Sequence, residues 1–302
     1  MVATVRQPSP SASRAPQGGH RGPATIDITN RLKRNRRDLA LSFIDISALL
    51  AAPPSEAISP EKRRELDAAV FLMEQKIHTL QQKAANAGAG EEVDPRADAK
   101  VWKQIQTEAI GLLEDALDLR VAVLLAQALL HSGGYEGFNE GLLLIQGLLS
   151  SQWDGLIPEE DKADREDPFL ERLNLLENLR EWESAIKPLL TATLCESPEV
   201  GRFSLRDVRI ATGKKVEMLI LTEAEKKQPP QWAAVQAACK KMSAEELTDC
   251  KATTHSLRDC IVNIEAALTP QVGQDKVPDL SPLKEVIAEA DEFYGNQLSL
   301  RG

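Results

Sequence analysis

From residue 60 onward, apolar residues recur along most of the chain at the three- and four-residue spacing of an α-helix. Leu66, Val70, Met73, Ile77 and Leu80 predict one long helix running to about Lys83. Ser59 stands at its N-cap and Pro60 in its first turn, where a missing N–H does no harm. A second helix is expected from near Asp98, carrying Trp102, Ile105, Ala109, Leu112, Leu113 and Ala116. Asp118 then caps "LRVAVLLAQALLHS", which is apolar nearly all round and so belongs at the centre of a bundle. Gly133-Gly134 ends that helix, and "GFNEGLLLIQGLLSSQW" runs back antiparallel to it. Some of Gly137, Gly141 and Gly147 are expected to be close-packing positions against the central helix.

Pro158 and six acids between 159 and 167 interrupt this pattern and predict an exposed acidic loop. Asp167-Pro168 restarts a helix by the same cap-plus-proline grammar, with Leu170, Leu173, Leu176 and Leu179 on one face. The stretch "GRFSLRDVRIATGKK" mixes arginines, an aromatic, a hydroxyl and an acid in the manner of a binding site. Local grammar accounts for most of it. Ser204 and Asp207 have the spacing of a capping box, Phe203 and Val208 that of a hydrophobic staple, and Gly213 closes the short helix. Arg202, Arg206 and Arg209 are left unexplained. A second box, Ser243 with Glu246, opens a helix to about Leu268. The expected fold is all-α: an antiparallel helical-hairpin bundle with a second small helical domain.

Composition agrees. Aromatic residues make up 4% of the 302 residues, so the core is Leu, Ala, Ile and Val, a diet that favours packed helices over sheet. The net charge of −10 hides an asymmetry. Residues 1–40 hold eight Lys/Arg against two acids, a balance of +6, which leaves −16 on the rest. The Pro-, Ser- and Gly-rich start predicts a disordered basic leader over 1–42, and its run 31–37 could touch nucleic acid or an acidic membrane surface.

The chemistry-bearing residues are thin. Cys195, Cys239, Cys250 and Cys260 have no metal-ligand spacing and are expected to be reduced structural thiols. "ATGKK" lacks the earlier glycine and the following hydroxyl of a phosphate loop, and "GGYEGFNEG" lacks a strand–turn–helix setting. The acidic loop lacks the alternating ligands of a calcium loop. Four histidines mark no catalytic constellation, and His131 is expected to complement a helix C-terminus. Neither a membrane span nor a secretory signal is visible, so a soluble cytoplasmic protein without cofactor or metal is expected.

The order of the pieces resembles a known family. "DISALLAAP", the central hairpin, "QWDGLIPEEDKADREDPFLERLNLLENL" and "GRFSLRDV" are similar to the ImpA-type N-terminal domain of the TssA family of type VI secretion proteins, over about 44–213. The resemblance places a family signature at Trp153, Asp154, Pro158, Asp167, Pro168, Arg172 and Asn174, and at Gly201, Arg202, Phe203, Ser204, Arg206 and Asp207. It implies three parts: the leader 1–42, the ImpA-type domain 43–222 and a second helical domain 223–302. It further implies a non-enzymatic assembly protein contacting baseplate, sheath or tube components, with a homo-oligomer among its expected partners and no nucleic acid expected. The alternative is an accessory nucleic-acid or membrane-surface binder using the basic run. The signature is expected to serve the fold, with Trp153 and Phe203 as core anchors and Arg172 in a buried or half-buried pair with an acid.

Overall fold

The computed structural model describes residues 43–86, 95–214 and 227–301, all of which fall within one compact unit, 40–302. The leader 1–42 with its basic run, and most of the glycine-rich stretch between the first two long helices, lie outside the described residues.

After a one-turn helix α1 (Ile46–Leu49), α2 spans Pro60–Asn86 and α3 spans Pro95–Asp115. All five residues of the α2 stripe, Leu66 to Leu80, are buried, and Ser59 Oγ accepts from the Lys62 N–H at the helix start. Helix α4 (Leu119–Ser151) is the hub, and α3 packs along it. Its course breaks at Gly134, whose φ of 57° suits a residue without Cβ, so it is two antiparallel arms joined by a tight turn. Both arms are buried almost all round.

The glycines explain how closely the arms approach. A Cβ on Gly137 would lie 2.3 Å from the Leu129 carbonyl oxygen, and one on Gly141 would lie 2.6 Å from the Ala126 Cα. Gly147 has a different neighbour, the Leu50 side chain after α1.

Helices α5 (Leu170–Glu177) and α6 (Lys187–Thr191) follow the acidic loop. The restart at Asp167-Pro168 differs from the expectation. Those residues form a turn, α5 begins at Leu170 with no side-chain cap, and the Asp167 carboxylate pairs instead with Lys276 at 2.7 Å. Leu173, Leu176 and Leu179 are buried, but Leu170 is exposed because it sits on the first turn, clear of the bundle.

The fold is mostly helical but not purely so. Strands β1 (Thr193–Ser197) and β2 (Gly201–Ser204) form an antiparallel hairpin, with Cys195 opposite Phe203 and Glu196 opposite Arg202. Each strand is too short to show a period, and β2 runs straight into the capping box of α7 (Leu205–Ala211), whose local signal masked it. The hairpin lies against α8 (Trp232–Lys241). Helix α9 (Ala244–Val272) packs along α4, and α10 (Ser281–Ser299) packs on α9. The Ser243–Glu246 box forms with both of its bonds. The four cysteines are free thiols, and only Cys250 is less than fully buried.

Gly111 on α3 faces open space, unlike Gly137. Gly137→Ala should destabilise the protein by about 2–3 kcal/mol through overpacking. Gly111→Ala should stabilise it by up to about 1 kcal/mol through helix propensity alone. Equilibrium denaturation of the two variants checks both signs.

Candidate functional site

The first half of the signature is built around Arg172. Helix α5 carries its side chain inward until the residue is 1% exposed, beneath the loop that follows α4. Its guanidinium donates through Nε to the Pro158 carbonyl at 2.6 Å, through Nη1 to the Trp153 carbonyl at 2.9 Å, and through Nη2 to the Leu156 carbonyl at 2.7 Å. The cation also lies 4.5 Å from the Trp153 ring centre and 5.1 Å from that of Phe169. The two rings meet edge to face, 4.9 Å apart.

Arg172 therefore differs from the expected acid pair: backbone carbonyls and aromatic faces take the place of a carboxylate. Burial pulls its pKa down to about 10, opposed by the nearby charges of Glu159, Asp154 and Glu160, and it remains a cation at neutral pH.

The loop can present these carbonyls because its backbone is extended. In an extended chain successive carbonyls point opposite ways. Leu156 and Pro158 turn theirs to Arg172, while Ile157 between them bonds the other side, donating to Leu117 O at 2.9 Å and accepting from Leu119 N at 2.8 Å. The peptide bond before Pro158 is cis. Asp118, 0% exposed, lies across from Ile157. It caps α4 through the Arg120 N–H and also holds the Arg120 guanidinium at 2.7 Å. Desolvation raises its pKa against the pull of that arginine.

Arg120 reaches on to Asp67 of α2 at 2.8 Å. Arg63, one turn earlier, grips Glu159 with both Nη atoms, at 2.5 and 2.9 Å. A chain of charges thus ties α2, α4 and the loop together. Sequence spacing did not reveal Phe169, Arg63 or Glu159 as parts of this site. Arg63 and Glu159 are 96 positions apart, so neither period nor motif links them.

The remaining first-half residues divide between core and surface. Trp153 and Pro158 are buried, whereas Asp154 and Asn174 are exposed and Asp167 is half-buried in its pair with Lys276.

The second half of the signature organises the hairpin. Ser204 N–H donates to Asp207 Oδ2 at 2.8 Å, and Asp207 N–H donates back to Ser204 Oγ at 3.3 Å, the box expected from the spacing. Gly201 has φ 120°, a left-handed conformation that favours glycine. Arg202 is exposed and pairs across the strands with Glu196 at 2.7 Å. Phe203 is partly buried against the core, and Arg206 lies 3.8 Å from Asp207. The leftover Arg209 pairs with Glu289 of α10 at 2.6 Å, where Lys214 also lands at 3.1 Å. Tyr294 of the same helix donates to the Leu194 carbonyl of β1.

Residues 61–181 match the family described as ImpA, N-terminal, type VI secretion system. Over that span the chain is similar to the ImpA-type N-terminal domain of the TssA proteins. The matched span holds Trp153 through Asn174 of the signature; Gly201 through Asp207 lie beyond it. The chain is 29% identical over 262 residues to the type VI secretion system component TssA1 of Pseudomonas aeruginosa, covering 84% of this chain and 70% of that protein. A solved structure of the TssA N-terminal domain from Burkholderia cenocepacia, including its conserved ImpA_N region, superposes with a TM-score of 0.58. That match has 20% identity and spans 85% of this chain and 95% of the other, a likeness of fold.

Chemically, the ImpA_N site is a clamp. Each nitrogen of Arg172 donates to a carbonyl and the residue is 1% exposed, so its guanidinium is not open to a phosphate or carboxylate from solvent. Among the described residues no group of three or more His, Cys, Asp or Glu is placed to hold a metal ion, and no helix is long and apolar enough to cross a membrane.

Two expectations follow. Arg172→Ala strands the Leu156 and Pro158 carbonyls, leaves Trp153 O only its longer bond from Leu156 N–H, and should cost about 3–5 kcal/mol, lowering Tm by roughly 10 °C in thermal denaturation. Arg172→Lys should recover little of it, because an ammonium cannot span three acceptors in one plane. The second concerns acid. The Arg63 guanidinium holds the Glu159 carboxyl below its usual value of 4.5. Its folded pKa being depressed, the pair's contribution is complete above about pH 4.5 and is lost as pH falls through the folded pKa. Wild type should therefore be more stable than Glu159→Gln at neutral pH, with the two melting curves converging below pH 4.5.

Proposed function

We propose that the chain is a non-enzymatic assembly component of a type VI secretion apparatus, working in the cytoplasm by protein–protein contact. The observation that carries this reading is the likeness to TssA1 along 84% of the chain, continuous with the ImpA_N match over 61–181. The geometry fits such a role. The signature's buried members hold a loop in place, and that loop then offers a rigid acidic surface, with Asp154, Glu160 and Asp161 exposed. Baseplate, sheath or tube proteins are the partners that such a surface would engage. Rigidity matters here because a preorganised surface loses less conformational entropy on binding.

The test is capture of partners by tagged full-length protein, at moderate salt, from cells that carry a type VI secretion system. The experiment is run with and without residues 1–40. Baseplate or sheath subunits should be recovered in both forms. Recovery of nucleic acid alone, and only with the basic leader, would replace this reading with the alternative.

A further inference from the structure

Two cysteines far apart in the sequence meet in the fold. Cys195 lies on β1 and Cys239 on α8, each is 1% exposed, and the two thiols are hydrogen-bonding partners. The packing of β1 on α8 explains the meeting. Cys195 Sγ sits 3.9 Å from the carbonyl oxygen of Val235. Val235 stands one turn before Cys239, and a helical side chain leans back over the turn that precedes it. The register of α8 thereby carries the Cys239 sulfur to the place where Cys195 ends. Cys250 of α9 is a third sulfur, close enough for its charge to act on Cys195, but it is half-buried against the Tyr294 hydroxyl.

The pair is not symmetric. Its bond to Cys239 and its burial push the Cys195 thiol up, so Cys195 keeps its proton. Cys239 is lowered by the bond it accepts from Cys195, against the effect of burial, and by the positive charge of Arg301. That guanidinium caps the end of α8, donating to the Met242 carbonyl at 2.7 Å and to the carbonyl of Cys239 itself. A sulfur so placed is the better nucleophile of the two. We propose that Cys195 and Cys239 are a redox-active dithiol, which hydrogen peroxide converts to a disulfide joining β1 to α8.

The step balances with peroxide as the oxidant. The Cys239 thiolate attacks one peroxide oxygen, the O–O bond breaks, and the departing hydroxide takes up the proton that Cys239 had released, forming water. Cys239 is then a sulfenic acid. Cys195 sulfur attacks the Cys239 sulfur, the S–O bond breaks, and the hydroxide leaves with the Cys195 proton as a second water. The two sulfurs lose two electrons and the peroxide gains them. Access comes through α8, which is ten residues long, starts without a side-chain cap and buries Val235, Ala238 and Cys239 alone. So lightly anchored an element opens locally well before the bundle unfolds. The bond matters to the signature, because β1 pairs with the strand Gly201–Ser204 and would be fixed to α8.

Mass spectrometry of the full-length chain, folded and treated with hydrogen peroxide, tests the proposal. The intact protein should lose the mass of two hydrogens, and its digest should hold one linked pair of peptides, carrying Cys195 and Cys239. Dithiothreitol should reverse both changes, and the oxidised form should melt at a higher temperature than the reduced form. Cys250→Ala should oxidise as wild type does. Cys195→Ala, which keeps the site apolar, should form no link and leave Cys239 to go on to sulfinic acid. A link through Cys250, or a link between two chains, overturns the proposal. So does a folded wild-type chain in which Met242 has become the sulfoxide while Cys195 and Cys239 are both still thiols.

Discussion

A guanidinium taken out of water must find acceptors inside the protein, and the loop between α4 and α5 is shaped to supply them to Arg172. The dependence runs both ways. The loop has no regular hydrogen-bonding ladder, so the Leu156 and Pro158 carbonyls would stay unmatched beneath α5 without the arginine, and Trp153 O would keep only its longer bond from Leu156 N–H. Without the loop, the arginine would be a bare buried charge. Two rings, Trp153 and Phe169, close the remaining sides of the cation. A fully satisfied buried polar group of this kind gives the loop one preferred conformation, because every alternative leaves something unpaired.

The same loop is the seam between the hub and its surroundings. Ile157 bonds the junction of α3 and α4, and Glu159 is held by Arg63 from α2. The clamp therefore fixes the position of the acidic surface relative to the long helices. The hairpin of α4 is rigid for a different reason: its arms touch at backbone level through Gly137 and Gly141, so they cannot slide without a clash. The assembly role proposed above would draw on both devices, a stiff core and a stiff loop upon it.

Much of this was legible in the chain because it is decided within a few residues. The α2 stripe, the Asp118 cap, the Gly134 reversal and both capping boxes appear where the spacing puts them. Each depends on a side chain and a backbone group no more than one helical turn apart. The short β-hairpin was not legible, since four or five residues carry no measurable period and a strong helix cap followed directly. Arg172 was singled out correctly as buried, but with the wrong partner. A sequence shows which residues bear charge, not which way a loop turns its carbonyls.

By itself, then, the sequence determined the long helices, most of their caps, the central hairpin and the likeness to TssA proteins, all through local periodicity and ordered motifs. Tertiary structure decided the rest. It set α9 along α4, joined Arg63 to Glu159 and Arg209 to Glu289 across 96 and 80 positions, and left Phe71 and Leu72 facing water. These outcomes depend on how whole elements dock. Docking balances buried area, charge and close approach over many residues at once, and no short stretch of chain contains that balance.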